Sequence, residues 1–456
     1  MPEAVVLDPY RPYATMLIER LHSRHGIRTV CLHTDWRQRL RVESSLPVLR
    51  SRAVAGHFMV SGMDWARVSR GLQRRFDIVG VLPHEEGMVA PLAVLAEYLG
   101  LSWAQPRVHR ALRDKFALKD LIRRSDPSLR LNAFAQVRSA EQVLDFVRDR
   151  QLRRFVLKPN DGSGNDNVRF FDATSDIATL RDYFARSRDR RILLEEFISG
   201  PEFWVNGQTD AQGEPTVVGV GEYYRTCHNG VENLEIGSMS VDPRDPRFET
   251  LCDYATRVMR ALGLRRSPFH LEAILDDAGP CLVEVGGRFC GELGTLMDMA
   301  HHGPQLDLID VAAHYYVSDK PLGPLPLDWA RVETRWMATA TGDSPSSQRL
   351  VRVDGARAIA ESPHFLFWIK EPRPGDFVHR TESLTTRAWA AALTGPHSDD
   401  ARDVIDWSRR TLELRGTADG HWSLRERWPM YQGLARKAQT CAPRPYELQA
   451  LFDRLD

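Results

Sequence analysis

The chain has 456 residues, 43% hydrophobic and 27% charged, a globular profile with length for about two to four structural units. Lys+Arg and Asp+Glu number 61 each, so the formal net charge is zero and no global field argues for nucleic acid or an anionic membrane as partner. The six cysteines form no CxxC pair, no stretch approaches the roughly 20 apolar residues of a membrane span, and MPEAVVLDPYRPY has no basic segment leading into an apolar one, which together set the expectation of a reducing, cytoplasmic location.

Residues 1–105 alternate strand and helix signals. AVVLD (4–8) reads as a strand, and ATMLIERLHSRHG (14–26) as a helix closed by Gly26. RTVCLHT (28–34) and DIVGVLP (77–83) read as strands, and a helix follows through PLAVLAEYLG (91–100). That alternation implies an α/β unit with a parallel sheet. No GxGxxG follows the first strand, so a dinucleotide site there is not supported.

Residues 106–200 are more charged. VHRALRDKFALKDLIRR (108–124) reads as one helix. SAEQVLDFVRDR (139–150) is another, with Ser139 as N-cap, Gln142 completing a capping box, and Val143, Phe146 and Val147 as its buried stripe. RRFVLKP (153–159) and ILLEEFI (192–198) read as strands. Residues 201–320 open on EFWVNGQT and TVVGVGEYY, two strands expected to pair antiparallel. A helix over 247–263 follows, then FHLEAIL (269–275) and CLVEV (281–285), joined by the turn signal DDAGP. The proline-rich KPLGPLPLDW (320–329) marks the next boundary, and residues 321–456 mix short strands (RLVRV, HFLFWIK) with a helix near DARDVIDWSRRTLELR.

Three motifs carry chemistry. In KPNDGSGNDNV (158–168) a lysine at a strand end runs into a loop with Gly162, Ser163 and Gly164. Such a loop lets backbone N–H groups approach polyphosphate while the lysine offsets its charge; the bland reading is a solvated turn. No GK[ST] follows, so this is not a Walker loop. In EEFISGPE (195–202) two acids sit where an apolar strand exits and Glu202 lies seven residues after Glu195. A strand edge there can read a purine, and a carboxylate can accept from ribose hydroxyls; a polar strand end is the alternative. In HLEAILDDAGPCLVEVGGR (270–288), Glu272 and Glu284 fall on two strands joined by a tight turn. Carboxylates brought together there need a cation between them, and oxygen ligands without a Cys or His cluster suit Mg²⁺; a surface pair is the alternative. Arg288 follows Glu284 by four residues across Gly286 and Gly287, an arrangement open to an ion pair or to a metal carboxylate beside a phosphate-binding guanidinium. For the pair His301–His302, solvation at a helix end is the expectation.

In this order and spacing the pieces resemble the ATP-grasp superfamily over roughly residues 1–400: a helix lysine in RDKFALK, VLKPNDGSG, the hinge EEFISGPE, and Glu272, Glu284 and Arg288. VVLDPY, LPHEEGMVAPLAVLAEYLGL, EEFISGPEFWVNG and GPCLVEVGGRFCGE are similar to the L-amino acid ligases that make dipeptides, of the bacilysin and dapdiamide synthetase type. The resemblance implies an α/β (α+β) ATP-grasp fold. It has an N-terminal Rossmann-like parallel-sheet domain (1–105), a subdomain with the phosphate-covering loop (106–200), a core with the metal site (201–320) and a C-terminal α+β subdomain (321–456).

It further implies that Lys115 and Lys158 touch ATP phosphates, with Ser163 and Gly164 in the covering loop. Glu195, Glu196, Phe197 and Ile198 line the adenine, Glu202 takes the ribose, and Glu272 and Glu284 hold Mg²⁺, or Mn²⁺ in its place. Arg288 stabilises the transferred phosphoryl group. Glu292, just past Gly291, falls at the substrate pocket. The substrates expected are a carboxylate and an amine; Glu86 and His228 are candidates to orient the amine, with a structural or solvated role as the stronger reading for both, and a homodimer is the expected assembly. Many members carry Asn two residues after the second metal glutamate, where this chain has Gly286. The reaction implied is ATP-driven amide formation, with a bicarbonate-using carboxylase or a non-catalytic nucleotide-binding module as alternatives.

Overall fold

A computed structural model describes residues 1–417 apart from 10–12, 35, 37, 38, 41–46, 61–63, 84, 85, 163–166, 188–190, 292–301, 303–306, 321 and 323–328. Its first unit is a parallel sheet in the order Val54–Met59, Arg28–His33, Glu3–Leu7, Asp77–Leu82. Glu3–Leu7 is buried at four of its five positions, as a strand covered on both faces must be. The helices Tyr13–His25 and Val89–Tyr98 cover it where the apolar spacing placed them. The strand Val54–Met59 and the helix Trp65–Gln73 fall where no element was expected. The strand is a half-buried edge without a long apolar run, and the helix is announced only by its cap, Asp64, which accepts from Arg67 N at 3.0 Å. Strand order reverses between Glu3–Leu7 and Asp77–Leu82, which opens a crevice beyond their carboxyl ends, and the short helical turn Glu86–Met88 follows there.

The single helix expected over 108–124 is two, Pro106–Arg113 and Lys115–Ser125. Asp114 between them is extended, with φ −113° and ψ 97°, and its Oδ1 accepts from Ala117 N at 2.9 Å. A short carboxylate competes for backbone N–H groups, so an aspartate in a continuous apolar pattern restarted the helix rather than joining it. The break makes Lys115 the first residue of a new helix.

A four-stranded antiparallel sheet follows, in the order Phe134–Val137, Ile192–Glu196, Arg154–Pro159, Arg169–Asp172. The helices Ala140–Asp149 and Ile177–Arg186 pack on it through Val143, Val147, Leu180 and Tyr183. Ser139 caps the first of them, but Gln142 Oε1 reaches back to Arg138 N at 2.8 Å, one residue before the position the capping box anticipates.

The largest sheet has eight antiparallel strands, in the order Gly279–Gly286, Pro268–Asp276, Glu202–Thr209, Pro215–His228, Val231–Ser240, Arg335–Gly342, Trp389–Pro396, Phe365–Lys370. It draws strands from both sides of the proline-rich patch. The helix Pro246–Leu262 covers one face over Phe203, Val205, Val220, Phe269 and Leu271. On the other face Trp204 lies flat across Gly221, where a Cβ would stand 2.0 Å from the ring, so only glycine fits. That second face, beside the smaller sheet, carries the polar residues described next. No helix among the described residues is long and apolar enough to cross a membrane.

Candidate active site

The hairpin Pro268–Asp276 and Gly279–Gly286 pairs Glu272 directly with Glu284. Cross-strand partners share a face, so both carboxylates point the same way. Residue 204 is registered against 272, and 221 against 204, which puts Glu202, Tyr223 and Arg225 on that face too. Opposite stand Lys158 from Arg154–Pro159 and Glu195 from Ile192–Glu196. Between the two sheets lies a cavity of about 810 Å³ lined by Lys115, Lys158, residues 195–202, Tyr223, Arg225, Glu235, Glu272 and Glu284. That volume suits a nucleotide-sized ligand.

The cavity is built from fixed charges. Tyr223 Oη donates to Glu272 Oε1 at 2.9 Å and lies 3.1 Å from His270 Nε2, and His270 Nδ1 lies 2.7 Å from Asn206 Oδ1. Burial pushes the Glu272 carboxyl up, but His270, Arg225 and Tyr223 outweigh it and bring it to about 2. Glu202 is held by both arms of the Arg225 fork, at 2.9 Å from Nη2 and 2.8 Å from Nε, while burial raises its pKa. Burial beside Glu272 and Glu202 pushes Glu235 up to about 7 against the pull of Arg225 and Arg387.

Lys115 Nζ donates to Gly162 O at 2.6 Å and lies 3.2 Å from Glu284 Oε2. Asn160 anchors the same turn, its Oδ1 accepting from Phe116 N at 3.0 Å and its carbonyl from Lys115 N at 3.1 Å. The start of the glycine-rich loop is thereby tied to the first turn of the new helix. Phe197 sits under the Arg154 guanidinium at 4.2 Å, edge-on to Phe170.

Thus Lys115, Lys158, Glu195, Glu196, Phe197, Ile198, Glu202, Glu272 and Glu284 line one cavity. Glu195 does so with its carboxylate already engaged by Lys158 at 2.5 Å and by Lys119. Arg288, Glu86, His228 and Gly291 are not among the lining residues. Arg288 Nε is paired with Glu86, whose Oε1 also accepts from Arg113 Nη1 at 2.6 Å. Burial raises the Glu86 pKa, and Arg288 and Arg113 more than reverse it. Gly287 serves packing: a Cβ there would stand 2.5 Å from Leu112 Cδ1, whereas one at Gly286 would meet nothing nearer than 3.8 Å. His228 ends the strand Pro215–His228. His302 is buried rather than solvated, at 2.7 Å from Val218 O and edge-on to Trp329. Ser163, Gly164, Glu292 and His301 lie outside the described residues.

Sequence reasoning missed Lys119, Asn132, Tyr223, Arg225, Glu235 and His270. Lys119 was legible as the i+4 partner of Lys115, and Tyr223 and Arg225 as alternate residues of one strand. A divalent cation fits the Glu272–Glu284 pair. Among the described residues no three His, Cys, Asp or Glu side chains form a closed cage. Two carboxylates, one held ionised, are the donor set of a Mg²⁺ that completes its shell with water and phosphate oxygens.

Residues 153–296 match the family model described as the ATP-grasp domain. The chain carries an ATP-grasp domain. It is 26% identical over 229 residues to dapdiamide A synthase of Enterobacter agglomerans, covering 47% of this chain and 52% of that one, so it spans about half of that relative's length. The fold is similar to that of the L-amino acid ligase from Bacillus licheniformis, with a TM-score of 0.69 at 17% identity over 91% of this chain and 99% of that one. It is also similar to the biotin carboxylase domain of the 2-oxoglutarate carboxylase from Hydrogenobacter thermophilus, solved with MgADP and bicarbonate, with a TM-score of 0.63 at 14% identity over 91% and 90% of the two chains. The ATP-grasp domain contributes both walls of the cavity, Lys158 and Glu195 on one and Glu272 and Glu284 on the other.

Proposed function

We propose that the chain is an ATP-dependent carboxylate–amine ligase that forms an amide, a dipeptide in the simplest case, through an acyl phosphate. The observation that carries this reading is the convergence of Lys115, Lys158, Glu272 and Glu284 on one cavity inside an ATP-grasp domain. The similarity to dapdiamide A synthase favours amide formation over bicarbonate activation.

A carboxylate is a poor acyl donor because its leaving group would be oxide. Its oxygen attacks the γ-phosphorus, the bond from that phosphorus to the β-phosphate oxygen breaks, and ADP leaves. The amine nitrogen then attacks the acyl carbon, the C–O bond breaks, phosphate leaves and the nitrogen loses a proton. The protein's part is positioning and charge neutralisation. Lys115 and Lys158 offset phosphate charge, and Glu202 takes the ribose once Arg225 releases one of its oxygens. Glu272 and Glu284 would hold Mg²⁺, which would supply positive charge to offset the repulsion of the phosphates. Arg288 presents its fork to the oxyanion that develops on the acyl phosphate, exchanging Glu86 for it.

The test is phosphate release over pairs of amino acids and amines, with product masses measured. ADP, phosphate and an amide mass are the expected products. AMP with pyrophosphate, or ADP release that needs bicarbonate and no amino acid, contradicts the reading.

A further inference from the structure

Lys119 is fully buried, a rare state for an ammonium group. It lies one helical turn after Lys115, on the same side of Lys115–Ser125. Its ammonium donates to Asn132 Oδ1 at 2.7 Å and Leu282 O at 2.8 Å, and forms an ion pair with Glu195 Oε1. The orientation of Asn132 is set independently, because its Nδ2 donates to Glu196 O at 2.9 Å and leaves Oδ1 facing the ammonium. Lys119 is fully buried and is not among the lining residues, so it does not itself reach a ligand in the cavity.

Its effect passes through Glu195. One carboxylate oxygen meets Lys119 and the other meets Lys158 Nζ at 2.5 Å. Burial raises the Glu195 pKa, and the two lysines overcome that and hold it at about 2, so the carboxylate is ionised. Lys158 with Glu195 alone would be a neutral pair, with little field left for a triphosphate. Adding Lys119 gives the strip a net charge of about +1 in a desolvated setting, where Coulomb terms are several times larger than in water. The ammonium also bonds to the carbonyl two residues before Glu284, which ties the wall bearing Lys158 to the wall bearing the metal carboxylates.

We infer that Lys119 is a positioning residue for nucleotide binding: it cancels the charge of Glu195 so that Lys158 presents its own to the phosphates, and it fixes the spacing of the two cavity walls. This deepens the ligase reading and rests on it.

The experiment titrates the full chain with ATP, ADP and adenosine by calorimetry, in Mg²⁺, at a temperature well below each variant's unfolding transition. Wild-type protein that binds no ATP overturns the ligase reading and this inference with it. With wild-type binding in hand, Lys119→Met weakens ATP by about 10- to 100-fold, the size of one partly screened charge pair, weakens ADP less, and leaves adenosine unchanged. Equal losses for all three would mean only a disturbed fold and would overturn the inference, leaving the ligase reading untouched. Lys119→Met with Glu195→Gln restores the net charge and replaces a buried pair by groups of similar volume, an exchange that folded proteins tolerate. This double variant regains most of the ATP affinity, and it remains the deciding test if the single variant does not fold. A folded double variant that binds ATP as weakly as Lys158→Ala overturns the inference.

Discussion

The two ends of the candidate site handle charge in different ways. Around the cavity the charged groups are held by fixed partners: Glu195 between Lys119 and Lys158, Glu272 under Tyr223 and His270, Glu202 in the Arg225 fork. At the crevice of the parallel sheet, Glu86 is shared by Arg113 and Arg288, with side chains 24–28% exposed. Buried, saturated groups give a rigid cradle suited to a ligand that never changes. Partly exposed ion pairs contribute less to stability than buried ones are worth to rigidity, and they exchange partners more readily, which suits ligands whose chemistry varies. In the proposed reaction the first end takes the nucleotide and the second takes the amino acid.

The largest effect breaks the exchangeable end. Arg288→Ala is expected to lower turnover by about 10²–10³ with the fold intact, the usual loss for an oxyanion donor. Phosphate release and thermal unfolding measure the two halves of that statement, and near-wild-type turnover would remove Arg288 from the chemistry.

The next effect sharpens the rigid end. Tyr223→Phe removes the hydroxyl that fixes Glu272, and the Mg²⁺ needed for half-maximal turnover is expected to rise by about 10- to 100-fold, as for other partners of metal ligands. An unchanged Mg²⁺ dependence would mean that Glu272 needs no orientation.

The smallest effect reads out as stability. Burial pushes the Glu235 carboxyl up to about 7 from its ordinary 4.5, so the folded state binds this proton more tightly than the unfolded one. Its contribution is fully present below about pH 4.5 and lost as pH rises through about 7. Glu235→Gln is therefore expected to be more stable than wild type at pH 8, by roughly 1–3 kcal/mol, with the advantage gone at pH 4. Denaturant titrations at both pH values decide it, and parallel curves would show that Glu235 does not titrate in this range.

The same contrast explains what could be read in advance. The hairpin of the rigid end follows local rules: two strand signals and the turn DDAGP announce it. The turn's register alone would set Glu272 opposite Val283, and a bulge between Glu272 and Ala273 brings Glu284 there instead, so the hairpin was legible in the sequence and the carboxylate pairing was not. Apart from His270, two positions from Glu272 on the same strand, the residues that hold this end come from elsewhere in the chain. Tyr223 lies 49 positions from Glu272, and Lys119 lies 163 from Leu282, separations over which periodicity carries no information. The helix break at Asp114 was hidden because an aspartate cap inside an apolar stripe reads as one more polar position. The pairing of Arg288 with Glu86 spans 202 positions and two sheets, so the sequence supplied the residues without the contact.

Isotope transfer tests the central claim most directly. With a substrate whose carboxylate carries ¹⁸O at both positions, an acyl phosphate passes one labelled oxygen to phosphorus, and breakage of the C–O bond releases it with the phosphate. The account predicts one ¹⁸O per phosphate released in step with amide formation. Unlabelled phosphate alongside the amide would contradict it.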